Sequence, residues 1–362
     1  MAFLISFSDK NYTIDEFIQI KKSDLPKWAI PIHKFLKNWN KGKLEFTQQT
    51  SGSTGKPKKI YIEKKQMMVS AHQTIEALKI SENSRALLCI SANYIGGKMM
   101  LVRAILGQWH LHIVKPRSKF KEKELWSHYE FAAMVPLQIS SALVSSKNKE
   151  ILNRFDQIIV GGGQVSQNII NQVQECQSKM YSTFGMTETV SHFALKSLNG
   201  SEKSDYFKVI GDNKISVDSK GCLMIKGSIT DDQWLVTNDV VELVDNGFKW
   251  ISRFDLVINT GGVKVQIEPT EQLIIKNLNT EGHHLIVWKI PDEKLGEKVI
   301  GICDSMVLLN HIKENKEALE ESLPPYHFPK NWFLVDEIKT TKSGKIDRIN
   351  TSKASLTEVS FE

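Results

Sequence analysis

The chain has 362 residues, with 47 basic against 41 acidic side chains (net charge +6), 41% hydrophobic and 24% charged residues. That balance excludes disorder, collagen, coiled coil and a disulfide scaffold, and the length predicts two or three domains. The basic residues are scattered along the chain, which argues against a nucleic-acid partner.

Only six residues are arginine, at positions 85, 103, 117, 154, 253 and 348. Each deserves inspection, because arginine supplies planar, two-pronged anion contacts that lysine cannot. Cys89, Cys176, Cys222 and Cys303 form no C-x-x-C pair, so they read as small buried apolar residues in a reducing compartment. The first nine residues lack the basic start of a signal peptide, and no apolar run reaches membrane-spanning length. A cytoplasmic address and no membrane partner are the expectation.

In chain order, residues 1–45 read as helical, with Ile14, Phe17 and Ile18 and then Ile32, Phe35 and Leu36 at amphipathic spacing. A glycine-rich loop at 48–58 precedes a helical pattern over 64–78. The runs 86–90, 112–114 and 157–160 read as strands buried on both faces, separated by helical patterns at 97–107, 120–128 and 166–177. Strands alternating with helices predict an α/β layer structure around a mostly parallel sheet. After residue 205 the texture changes to short strands punctuated by Gly and Asp, as in antiparallel structure, with runs near 208, 215, 222, 234, 240 and 248. Beyond Arg253 an α+β segment follows: helix 269–278, strands 284–290 and 298–303, helix 309–322. The change places a hinge near 253–255, dividing the chain into 1–252 and 253–362.

Two strings carry chemistry on their own. Thr50-Ser51-Gly52-Ser53-Thr54-Gly55-Lys56-Pro57-Lys58 lets the backbone curl several N–H groups toward one anion, with hydroxyls and a lysine adding donors. Its glycine spacing is not that of a Walker loop; phosphate binding is the favoured reading. In Gly185-Met186-Thr187-Glu188-Thr189, Thr187 can contact a phosphate oxygen, and Glu188 can hold Mg²⁺, which takes hard oxygen ligands shared with phosphates. Standing alone, that string is equally a turn with Thr187 as a helix cap.

Read in order with Gly161-Gly162-Gly163-Gln164, Thr237-Asn238-Asp239, Ser252-Arg253-Phe254-Asp255, Asn259-Thr260-Gly261-Gly262-Val263-Lys264 and Ser343-Gly344-Lys345, these strings resemble the adenylate-forming superfamily of acyl-CoA synthetases, nonribosomal adenylation domains and luciferases. The resemblance implies a large N-terminal multi-sheet α/β domain and a small mobile α+β C-terminal domain joined at Arg253–Asp255. It also implies a ligase that consumes Mg·ATP, a carboxylic acid and CoA. Thr50 to Gly55 and Lys58 would embrace the β- and γ-phosphates. Gly161, Gly162, Gly163 and Gln164 would line the adenine, with Tyr181 stacked on its other face. Asp239 would accept from the ribose hydroxyls with Arg253 assisting, and Asp255 would be the hinge. Gly261 and Gly262 would serve the CoA side, and Lys345 would be the catalytic lysine. The stretch Tyr94-Ile95-Gly96-Gly97-Lys98 through Arg103, together with His192, is similar to o-succinylbenzoate–CoA ligases, where a basic residue at the place of Arg103 can pair with the second carboxylate of an aromatic diacid. Other aryl- or acyl-CoA ligases, carrier-protein loading and a non-catalytic nucleotide-binding relative are the alternatives. The departures are a short stretch before the phosphate loop, Ser252 where the family has Gly, a late Pro269, and Ile338-Lys339 where a Pro is usual.

Overall fold

A computed structural model describes residues 3–49, 59–278, 280, 284–341 and 346–361. The phosphate-loop residues Thr50 to Lys58 and the lysine Lys345 therefore lie outside the described residues.

A 13-stranded sheet forms the large body of the molecule. Six of its strands run parallel as neighbours, in the order Leu4–Phe7, His110–Ile113, Arg85–Leu88, Tyr129–Met134, Phe155–Val160 and Lys179–Gly185. These strands are apolar on both faces because the helices Lys64–Ala77, Ile95–Leu106 and Pro136–Leu143 pack around them. From His192–Ser197 onward the sheet becomes antiparallel, continuing through Phe207–Val209, Gly247–Arg253, Leu235–Val244, Cys222–Lys226 and Lys214–Val217. Hairpins thus replace helical crossovers already between Gly185 and His192, earlier than the change of texture expected near residue 205.

A second, six-stranded sheet begins at Val257–Thr260 and carries the helices Ile267–Asn277, Met306–Glu314 and Lys316–Ser322. Its core is a separate cluster that includes Ile258, Ile274, Val287, Leu309 and Trp332. A small hairpin, Glu45–Gln49 with Lys59–Glu63, flanks the phosphate loop. The four cysteines are buried and free. No helix among the described residues is long and apolar enough to cross a membrane.

Two expectations fail. The first 45 residues are not all helix, since Leu4–Phe7 is a strand paired in parallel with His110–Ile113, and Lys10–Tyr12 folds back on it. Residues 120–128 hold only a three-residue 3₁₀ turn, Glu122–Glu124. There Trp126 stacks flat on His112 at 4.6 Å and on Tyr129 at 5.5 Å, and Arg117 pairs with Glu124 at 2.8 Å, so tertiary contacts hold the segment extended.

Candidate active site

In parallel sheets ligands collect beyond the carboxyl ends of the strands, and the motifs fall there. Tyr94, the N-cap of Ile95–Leu106, and Gly97 in that helix's first turn follow Arg85–Leu88, Gly161–Gln164 follows Phe155–Val160, and Thr187–Glu188 follows Lys179–Gly185. Those three strands and Tyr129–Met134 are successive neighbours in the sheet, so segments about 95 residues apart in sequence converge on one edge. Tyr181, half-buried, lies on the strand adjoining Phe155–Val160, which Gly161 follows.

Glu188 is exposed and Thr187 half-buried, so both are reachable from solvent. Among the described residues no group of three His, Cys, Asp or Glu side chains forms a metal cage. A single accessible carboxylate fits Mg²⁺, which is commonly bound through one or two carboxylates plus substrate phosphates.

The turn beyond Glu188 is strained. Ser191 N–H donates to Thr189 C=O at 2.6 Å across Val190, whose φ is +65°. A β-branched residue in that region is an outlier, and such strain concentrates at functional sites. The Thr189 hydroxyl, fully buried, braces the turn from inside by accepting from Met186 N–H at 3.0 Å. Gly185 permits the chain to double back, because a Cβ there would stand 2.2 Å from the Ser191 carbonyl oxygen and 2.4 Å from His192 Cα.

This turn delivers Ser191 to Arg103. The Arg103 side chain, on the inner face of Ile95–Leu106, is 1% exposed. Its Nη2 donates to Ser191 Oγ at 3.1 Å, while Nε is buried with no partner among the described residues. Among the described residues no acidic side chain pairs with it, and burial pushes the guanidinium down to about 9. His192 lies alongside. The Thr74 hydroxyl donates to Ser70 C=O at 3.0 Å and so accepts from His192 Nε2 at 3.1 Å, leaving Nδ1 toward Ser191 Oγ at 3.4 Å. Burial, and then the Arg103 charge, hold the imidazole well below its ordinary value. It is therefore neutral at pH 7. Lys98 points elsewhere: its Nζ donates to Gln48 Oε1 at 2.6 Å, bracing the hairpin beside the phosphate loop, and burial lowers it.

On the antiparallel half, Asp239 pairs in register with Arg253. Arg253 grips Asp255 with two bonds of 2.8 Å, from Nε and Nη2. That bond is the main cause raising the guanidinium above its ordinary value. Ser252, the departure from the family glycine, is fully buried, and its hydroxyl has no partner among the described residues. Gly261 and Gly262, both at positive φ (+55° and +85°), form the two-residue turn between Val257–Thr260 and Val263–Gln266, a conformation that two glycines adopt without penalty.

Glu268, in the first turn of the helix Ile267–Asn277, approaches the same region. Its Oε2 is buried with no hydrogen-bond partner among the described residues. Burial pushes its carboxyl up to about 7, with Arg348 opposing, Glu271 adding, Arg253 opposing and Asp239 adding. Behind it Arg348 grips Glu271 through Nε at 3.2 Å and Nη2 at 2.5 Å. Burial works against the Arg348 charge, but Glu271 outweighs it and keeps that guanidinium above its ordinary value. The sequence reading assigned no role to Glu268 or Thr74, and the strain at Val190, though it lies in the string Thr189-Val190-Ser191-His192, is a matter of backbone conformation that residue types do not show.

A parallel sheet edge that carries a glycine turn and a hydroxyl–carboxylate turn suits a nucleotide-dependent α/β enzyme. Residues 14–220, more than half of the chain, match the family model described as AMP-binding enzyme, and the chain belongs to that family, the adenylate-forming enzymes. It is 23% identical over 339 residues to a 2-succinylbenzoate–CoA ligase of Listeria monocytogenes, a match covering 86% of this chain and 70% of that one. The solved structure of an acyl-CoA synthetase (AMP-forming)/AMP-acid ligase II-like protein from Dyadobacter fermentans is similar at TM-score 0.61 and 33% identity, covering 93% of this chain and 97% of that one. An o-succinylbenzoate coenzyme A synthetase from Bacillus subtilis, solved with ATP and magnesium ion, shares the fold at TM-score 0.67 and 20% identity, over 85% of this chain and 69% of that one.

Proposed function

We propose that the protein is an ATP-dependent acid–CoA ligase whose acid is an aromatic dicarboxylate, o-succinylbenzoate fitting best. The observation that carries the choice of acid is Arg103, a buried guanidinium without an acidic partner among the described residues. A buried charge in that state is costly unless an anion completes it. A ring carboxylate would complete it through two parallel hydrogen bonds, while the succinyl carboxylate reaches back toward Thr187.

The acid's free carboxylate oxygen attacks the α-phosphorus of ATP, and the bond to the β-phosphate oxygen breaks, giving acyl-adenylate and pyrophosphate. Thr187 donates to a phosphate oxygen, Asp239 accepts from the ribose hydroxyls, and Tyr181 and Gly161 to Gln164 sandwich the adenine. Glu188 would hold Mg²⁺, which when bound would supply charge neutralisation on the leaving group. Lys345 bridges the attacking carboxylate and the α-phosphate as charge builds there. Residues 253–362 then turn about Asp255, withdrawing Lys345 and presenting the Gly261–Gly262 turn to CoA. The CoA thiolate attacks the acyl carbon and AMP leaves. The neutral His192 adds no second cation beside the diacid and fixes Ser191 against Arg103.

The test is pyrophosphate release over a panel of acids, with and without CoA. o-Succinylbenzoate with ATP should release one equivalent without CoA and turn over repeatedly with it. Release that CoA does not accelerate would favour carrier-protein loading, and no release with any acid would refute the ligase reading.

A further inference from the structure

We propose that Trp250 is a positioning residue for the nucleotide: its indole N–H sets the rotation of the Asp239 carboxylate, so that the ribose meets an acceptor already aimed. The inference rests on Asp239 being the ribose acceptor, as argued above.

Trp250 Nε1 donates to Asp239 Oδ1 at 3.0 Å, and the Asp239 side chain is 7% exposed. The contact exists because of an irregularity in strand pairing. Asp239 opposes Arg253 and Val240 opposes Ser252, but Val241 opposes Trp250, so Ile251 is an extra residue on its strand. Successive side chains of a strand point to opposite faces, and in regular pairing Ile251 would oppose Val241, with Trp250 on the far side of the sheet. The bulge moves Trp250 by one place, onto the face shared by Asp239 and Arg253, and leaves Ile251 exposed. Bulges beside active sites re-aim a side chain in this way.

Both partners are held from behind. The Trp250 ring packs against the cluster of Phe193, Phe207, Leu223 and Phe248. The Asp239 backbone N–H donates to Thr237 Oγ1 at 3.0 Å. With the backbone and one carboxylate oxygen fixed, the carboxylate plane cannot turn freely about its last bond. A ribose diol requires one plane of acceptors, and an acceptor fixed beforehand binds more tightly than one ordered on binding.

The test compares ATP with 2′,3′-dideoxy-ATP by calorimetry in wild type and Trp250→Phe. Wild type should prefer ATP. Freeing the carboxylate to rotate, so that it must be ordered on binding, predicts that Trp250→Phe weakens ATP about five- to tenfold and dideoxy-ATP by about twofold or less, shrinking the preference. If wild type prefers ATP but the variant weakens both nucleotides equally, or neither, Trp250 does not act through the ribose and the proposal is overturned. If wild type binds both nucleotides alike, the ribose role of Asp239 fails and takes the proposal with it. Should Trp250→Phe fold poorly, the wild-type indole N–H reports directly by nuclear magnetic resonance: AMP should slow its exchange and 2′,3′-dideoxy-AMP should not, and an equal response to both would overturn the proposal.

Discussion

Replacing Arg103 by methionine should make the protein more stable and a worse enzyme. The wild-type guanidinium is driven from its ordinary 12.5 to about 9 by burial alone. At 1.36 kcal/mol per pH unit, keeping it charged at neutral pH costs about 4–5 kcal/mol of folding free energy. Methionine has a similar unbranched reach and carries no charge. Against that gain stand the lost bond to Ser191, roughly 1.5–3 kcal/mol, and imperfect repacking, about 1 kcal/mol. The net is a stabilisation of about 1–2 kcal/mol, or a rise of roughly 2–6 °C in the melting temperature of the large body. Because the folded guanidinium titrates near 9, the gain should be flat with pH below about 8. The opposite effect is expected on the diacid: truncating one side of a buried charge pair costs roughly 2–5 kcal/mol, so KM for o-succinylbenzoate should rise at least about 30-fold, with KM for ATP unchanged. Thermal melting of the ligand-free protein and pyrophosphate-release kinetics read the two arms. A lower melting temperature would show that Arg103 has a compensating partner in the free protein, and unaltered diacid kinetics would remove it from the acyl site.

Glu268→Gln should flatten the pH dependence of stability between about 5 and 8. Since burial raises the Glu268 carboxyl to about 7 from its ordinary 4.5, its favourable neutral form contributes fully below 4.5 and is lost as pH rises through 7. Melting curves that run parallel in wild type and variant would contradict this. Lys345→Ala should slow adenylate formation by about 10²–10³-fold yet spare thioester formation from supplied acyl-adenylate; equal loss of both half-reactions in a folded variant would assign the lysine another role. Gly185→Ala should destabilise by about 1–3 kcal/mol and lower kcat/KM for the diacid, because the added Cβ meets the backbone of Ser191 and His192. A variant with native melting and kinetics would mean that the turn relaxes without cost.

Local strings and local periodicity were enough for much of this protein. The Gly161–Gln164 and Thr187–Glu188 strings, the alternation of strand and helix up to Lys179–Gly185, and the change to hairpins after it are properties of neighbouring residues. The strand Leu4–Phe7 was not legible, because its pairing partner lies a hundred residues away at His110–Ile113. Nor was the extended course of 120–128, where stacking of Trp126 on His112 and Tyr129 overrides a helical pattern.

At the site the division is the same. Arg103 and His192 stood out by type, but their sequence fits a surface arginine and a core histidine equally well. Tertiary structure decided between these by burying Arg103 within reach of Ser191 and placing Thr74 behind the imidazole. Trp250 is the extreme case. Strand alternation, applied faithfully, puts it on the wrong face, and only the extra residue at Ile251 turns it to Asp239. Sequence by itself determined the family to which this chain belongs, because the strings that resemble it are short and contiguous. Tertiary structure alone decided how the charges are held, since desolvation and hydrogen-bond geometry depend on groups that meet only when distant segments pack.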